Sequence, residues 1–156
     1  MADTYTVERS VTIDAPPDRV HPHVADFHRW PAWSPWEDVD PALQRTYSGP
    51  GSGPGAVYQW SGNRRAGRGR MEITESVPAR FVRVDLQFEK PFKARNDTSF
   101  TIEPDGAGSR VTWSMTGKMT LVTKVMGVFS SMDAFLGRDF EKGLARLKAV
   151  SETPAP

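Results

Sequence analysis

The chain has 156 residues, which fits one domain at about 100 to 200 residues per domain, and its 38% hydrophobic and 25% charged residues exclude a wholly disordered chain or a fibre. Lys plus Arg at 20 against Asp plus Glu at 19 leaves a formal charge of +1, without the global positive field that nucleic-acid binders use. With no cysteine there is no disulfide, thiolate nucleophile, zinc knuckle or iron–sulfur cluster. Residues 1–10 carry acids and lack an apolar signal region, and no stretch reaches the roughly 18 apolar residues of a membrane span. A cytoplasmic protein without nucleic-acid partners or an integral membrane segment is therefore expected. The aromatic content stands out: five Trp and eight Phe, with Trp30, Trp33 and Trp36 crowded together.

Residues 4–13 alternate, with Tyr5, Val7, Val11 and Ile13 on one face and only Arg9 interrupting it, which predicts a first strand. Asp14 followed by Pro16 and Pro17 signals a helix start, so a short helix is expected over 16–25, with Pro22 removing one hydrogen bond from it. A second short helix or irregular turn covers 27–36. A weak strand over 42–47 enters the glycine and proline run 49–55, read as a flexible loop. Five alternating segments follow, at 56–61, 68–75, 80–88, 93–102 and 110–120. The connections are short, which favours an antiparallel meander. Parity puts Tyr58, Trp60, Met71, Ile73, Val82, Val84, Leu86, Phe88, Trp113 and Met115 on one inner face, leaving Phe81 as an outward apolar exception.

After Leu121 the period turns helical. Val122, Val125, Met126, Phe129, Met132, Phe135, Leu136, Phe140, Leu144 and Leu147 form one stripe. Ser130 with Asp133 reads as a capping box, which predicts a long final helix over 131–150. Residues 151–156 are expected to fray.

The sequence resembles the SRPBCC (START-like) superfamily, most of all its bacterial polyketide cyclase/dehydrase branch. The resemblance rests on Ile13-Asp14-Ala15-Pro16, on Trp30 to Trp36 (Trp-Pro-Ala-Trp-Ser-Pro-Trp), on Trp60-Ser61-Gly62-Asn63 and on Gly67-Arg68-Gly69-Arg70-Met71. Val111-Thr112-Trp113 and the run from Gly137 to Leu144 complete it. It implies an α+β helix-grip fold: a curved antiparallel sheet of about six or seven strands wrapped around a long C-terminal helix, with two short helices after the first strand. Residues 1–150 would form this single domain. It also implies an internal cavity for a hydrophobic small molecule, lipid-like or polyketide-like. Fold alone does not fix chemistry.

Trp33 and Trp36 are candidates for a wall of that cavity or, equally, for core at the sheet end. Tyr58, Trp60, Met71, Phe88, Phe100, Trp113 and Met115 share the ambiguity between lining a void and filling it, and Phe129 and Phe135 would face them from the helix. Asn96 and Thr98 are the inward polar handles, whose alternative role is bonding to neighbouring strands or buried water. Tyr58, Asn96 and His23 are the candidates for holding an enol or moving protons if the protein is a cyclase or dehydratase. No Ser, Asp or Glu at matching spacing marks His23 as part of a triad. His21 and His28 would share a helical face, but no third ligand is evident, so neither a metal nor a cofactor is expected. Arg64, Arg65, Arg68 and Arg70 could meet an anionic group or simply cover a solvated hairpin, the reading favoured here. Binding of a hydrophobic ligand by a monomer or weak homodimer is the leading expectation. Its rivals are a polyketide cyclase or dehydratase and a co-chaperone or regulatory protein that grips a partner segment.

Overall fold

The structure, a computed structural model, describes residues 4–36, 42–63, 67–90, 94–118 and 129–153. Strand β1 spans Thr4–Ile13 as the alternation predicts, helix α1 spans Pro17–Ala25, and a 3-10 turn occupies Phe27–Ala32. Six strands follow: β2 Gln44–Ser48, β3 Val57–Ser61, β4 Arg68–Val77, β5 Phe81–Lys90, β6 Ala94–Asp105 and β7 Gly108–Lys118. Helix α2 runs Phe129–Glu152.

The strands form one antiparallel sheet in the order β1-β7-β6-β5-β4-β3-β2. Consecutive strands pair as a meander, and β1 closes against β7 in an unbroken register from Thr4 opposite Lys118 to Ile13 opposite Ser109. Helix α2 lies across the β1 end and buries Phe140, Leu144 and Leu147. Full burial of side chains of this size contributes about 1.5 to 3 kcal/mol each. This is the helix-grip architecture that the resemblance implies.

Several expectations need correction. The strands at 80–88 and 93–102 extend to Lys90 and Asp105, because Lys90 still pairs with Arg68 of β4 and Asp105 with Gly108 across the tight β6–β7 turn, further than apolar alternation continues. Helix α2 starts at Phe129, so Ser130 sits inside the helix and not at its cap. The same helix continues through Ser151, which is buried, and Glu152, which accepts from the backbone N–H of Asp14 at 2.7 Å. Those two residues are therefore not part of a frayed tail. The run 49–55 is also held in place. The Gly53 N–H donates to the Ala25 carbonyl at 3.0 Å and the Gly55 N–H to the Ile73 carbonyl at 2.8 Å, tying the loop to α1 and β4.

The interruption at Arg9 has a structural cause. Its guanidinium lies over the α2 backbone at Gly137, where a Cβ would meet Arg9 Nη2 at 2.1 Å, and it faces Glu141 at 3.8 Å. Phe81 points outward beneath the Arg83 guanidinium, 5.3 Å from the ring centroid.

Candidate functional site

Cross-strand register sorts the concave face into four rows. At the rim stand Trp60, Gly69, Phe88 and Ala94, paired in turn. The second row crosses six strands: Tyr58, Met71, Leu86, Asn96, Gly117 and Tyr5. The third is Ile73, Val84, Thr98, Met115 and Val7, and the fourth Val82, Phe100, Trp113 and Arg9.

Burial deepens row by row. Trp60 and Phe88 at the rim are half-buried. In the second row Tyr58, Met71, Leu86, Asn96 and Tyr5 keep 4 to 8% of their surface, whereas in the fourth Val82, Phe100 and Trp113 keep 0 to 1%. The rim is thus the least sealed part of this face, and the end at Val82, Phe100 and Trp113 the most sealed.

What fills that end is an aromatic column. Trp113 stacks on Phe140 of α2 at 4.1 Å with planes 3° apart and on Phe100 at 4.9 Å. Trp33 meets both Phe100 and Trp113 edge-on at 5.7 Å, and Trp36 meets Trp113 at 5.6 Å. The indole N–H groups of the tryptophan cluster bind protein. Trp30 donates to the Val24 carbonyl and Trp33 to the His23 carbonyl, both at 2.9 Å, while Trp36 donates to Asp139 at 3.2 Å. Trp33 has no accessible surface, so it packs as core. Gly143 completes the column, since a Cβ there would meet Pro35 and Trp113 at 2.9 Å. The glycines and the acids of the 137–144 run thus have separate roles: Gly137 and Glu141 meet Arg9, Gly143 meets Pro35 and Trp113, and Asp139 accepts from Trp36.

Nearer the rim a second aromatic group is more loosely closed. Trp60 meets Phe88 edge-on at 5.7 Å and stacks with Tyr58 at 6.2 Å, and Tyr47 joins Tyr58 at 5.4 Å. Met71 and Leu86 continue this apolar surface to the middle of the sheet.

The polar groups sit in that middle. The Tyr5 hydroxyl donates to Asn96 Oδ1 at 3.3 Å, and burial raises the Tyr5 phenol above its usual value, which keeps it a donor. Their meeting needs Gly117, where a Cβ would meet Asn96 Oδ1 at 2.2 Å and the Tyr5 hydroxyl at 2.7 Å. One row deeper, Thr98 Oγ1 is buried with no hydrogen-bond partner among the described residues, and so is Trp113 Nε1. Tyr5, Leu86 and Gly117 are missing from the sequence-based set. Inner parity marks Tyr5 and Leu86, but only the register places them beside Asn96.

The histidines do not converge. His21 Nε2 lies 3.0 Å from Ser76 Oγ. His28 falls on the 3-10 turn, not on α1, so it shares no helical face with His21; it contacts Asp26 at 3.0 Å and stacks on Tyr47. His23 stays on α1, its ring kept neutral first by burial and then by the charges of Arg29 and Arg19. Among the described residues no group of three or more His, Asp or Glu could hold a metal ion, and no helix is long and apolar enough to cross a membrane. Arg68 pairs with Glu89 at 2.8 Å and Arg70 with Glu72 at 3.3 Å, on the outer face. Arg64 and Arg65 lie outside the described residues, as do the side chains of Phe129 and Phe135.

Comparison with known proteins agrees with this architecture. No curated protein matches the chain. Among solved structures, KanY aligns over 96% of this chain and 99% of its own with a TM-score of 0.69 at 19% identity. Protein CV1439 of Chromobacterium violaceum aligns over 96% and 98% with a TM-score of 0.67 at 15% identity. TTHA0849 of Thermus thermophilus aligns over 94% and 96% with 0.66 at 18%. Likeness at these identities concerns the fold alone. The family model described as "Polyketide cyclase / dehydrase and lipid transport" matches residues 4–152, and on that match this chain belongs to the polyketide cyclase/dehydrase and lipid transport family.

Proposed function

We propose that this protein binds a hydrophobic small molecule, lipid-like or polyketide-like, which enters past Trp60 and Phe88 and lies along the apolar second row. The carrying observation is the gradient of burial on the concave face, from fully sealed Phe100 and Trp113, through Tyr58, Met71 and Leu86 at 4 to 8% exposure, to half-buried Trp60 and Phe88 at the rim. A partly accessible apolar surface with few convergent polar groups suits a ligand site, and the family description, which includes lipid transport, supports the same reading.

Binding comes ahead of catalysis because the proton-moving candidates stand apart. Met71 and Leu86 separate Tyr58 from Asn96 within one row. Three strand spacings of about 4.8 Å put their backbones roughly 14 Å apart along the sheet, and the Asn96 amide oxygen is engaged by Tyr5, not by Tyr58. Native mass spectrometry of protein purified from its own host tests the proposal. One retained small molecule per chain is expected; bare protein that also takes up none of a panel of apolar ketones and fatty alcohols would contradict it.

A further inference from the structure

We propose that Asn96 and Thr98 form a hydrogen-bond donor site that selects ligands carrying an uncharged carbonyl oxygen over hydrocarbons and over carboxylates; this rests on the binding reading above. Three observations carry it. First, the Tyr5 hydroxyl occupies Asn96 Oδ1. Any group on the far side of that side chain therefore meets the amide NH2, which is a donor only. Second, the Thr98 hydroxyl is buried and unpartnered among the described residues, an arrangement that costs free energy until an acceptor supplies the missing bond. The two residues are same-face neighbours on β6, about 7 Å apart at roughly 3.4 Å per residue, so one oxygen lodged between their side chains reaches both. Third, charge favours a neutral partner. The described cations at inner parity on the strands are Arg9, which faces Glu141, Arg45, which is exposed opposite Trp60 and four strands from Asn96, about 19 Å along the sheet, and Lys90, which is exposed at the rim. Lys90 is four residues along β5 from Leu86, the partner of Asn96, or about 13 Å away. Among these described strand residues a carboxylate buried at Asn96 would find no adjacent counter-ion, and an unpaired buried charge is strongly disfavoured.

Tyr5 is in this account a positioning residue. It fixes which end of the Asn96 amide faces the ligand, and Gly117 leaves room for it to do so.

The test uses displacement of bound N-phenyl-1-naphthylamine by 1-tetralone, tetralin and tetralin-1-carboxylate, which share one carbon frame. Wild type is expected to prefer the ketone over the hydrocarbon by roughly tenfold, the scale of one net hydrogen bond, and to bind the carboxylate most weakly. Asn96→Leu and the near-isosteric Thr98→Val should each bring ketone and hydrocarbon within about twofold while tetralin affinity holds. The infrared carbonyl stretch of bound 1-tetralone should lie at a hydrogen-bonded frequency in wild type and move toward its alkane-solvent value in both variants. Tyr5→Phe should shift that band and lower the ketone preference without changing tetralin affinity, which a purely structural role would not do. Equal displacement by all three compounds, no displacement by any, or a ketone preference that survives Asn96→Leu and Thr98→Val would overturn this inference and leave the binding reading intact. Failure of the fluorophore itself to bind would overturn both.

Discussion

Gly137 and Gly143 lie six residues apart on α2 and are expected to respond oppositely to the same substitution. At Gly143 an added Cβ meets the Pro35 ring and the Trp113 indole at 2.9 Å, neither of which can yield, because Trp113 is clamped between Phe140 and Phe100. Overpacking of about 1 to 3 kcal/mol should exceed the roughly 1 kcal/mol that alanine gains over glycine in a helix. At Gly137 the obstacle is the end of the flexible Arg9 side chain, whose ion pair with exposed Glu141 is worth about 0 to 1 kcal/mol. Thermal unfolding should thus rank Gly137→Ala equal to or above wild type and Gly143→Ala clearly below; the reverse order would refute the packing described for α2. Ala79 gives a second residue-scale prediction. It follows Pro78 in the β4–β5 turn with φ at 62°, while the Arg80 N–H donates to the Val77 carbonyl at 3.0 Å. A left-handed alanine costs about 1 to 2 kcal/mol, partly offset by the greater unfolded-state freedom of glycine. Ala79→Gly should therefore raise stability by about 0.5 to 1 kcal/mol in urea unfolding, and a loss would mean the turn is not strained.

Among the elements, α2 is the one on which the concave face depends. Leu144 is buried on its sheet-facing side, so Leu144→Ala should cost about 2 to 5 kcal/mol through lost burial and a residual cavity; under about 1 kcal/mol would mean the helix is not packed this way. Helix α1 is joined to β4 by His21 and Ser76. Burial lowers His21 below its usual value, so at mildly acidic pH the unfolded chain takes up the proton more readily than the native one. The stability contributed by the neutral ring is complete above about pH 6.5 and is lost as pH falls below it. His23 acts in the same direction. Melting temperature should fall between pH 7.5 and 5, and more shallowly in His21→Gln, which still bonds Ser76 but does not titrate; an unchanged slope would contradict the His21 assignment. At this scale the sequence is informative where period is local. The alternation of β1 and the stripe through Phe140, Leu144 and Leu147 both appear in the chain itself. The fixed run 49–55 is not legible, because its order comes from the carbonyls of Ala25 and Ile73, which composition does not bring near.

Across the whole molecule, the candidate site was legible in part. Inner parity found Tyr58, Asn96 and Thr98, since side chains alternate strictly along a strand. It did not reveal that Tyr5 stands beside Asn96, which depends on the register of β1 against β7, nor that Gly117 is the opening between them. Nor could it separate filling from lining. Trp33 and Trp60 are equally apolar, but the His23 carbonyl, Phe100 and Trp113 enclose one while the other stands at the rim. Titration of the protein with N-phenyl-1-naphthylamine, followed through tryptophan emission in wild type and Trp60→Phe, tests whether an apolar ligand enters at the rim. Saturable binding of one molecule per chain is expected, with quenching that is largely lost in Trp60→Phe while affinity persists, because Trp60 is at the entrance and Trp30 and Trp33 are sealed in the core. Absence of saturable binding, or quenching unchanged by Trp60→Phe, would contradict it.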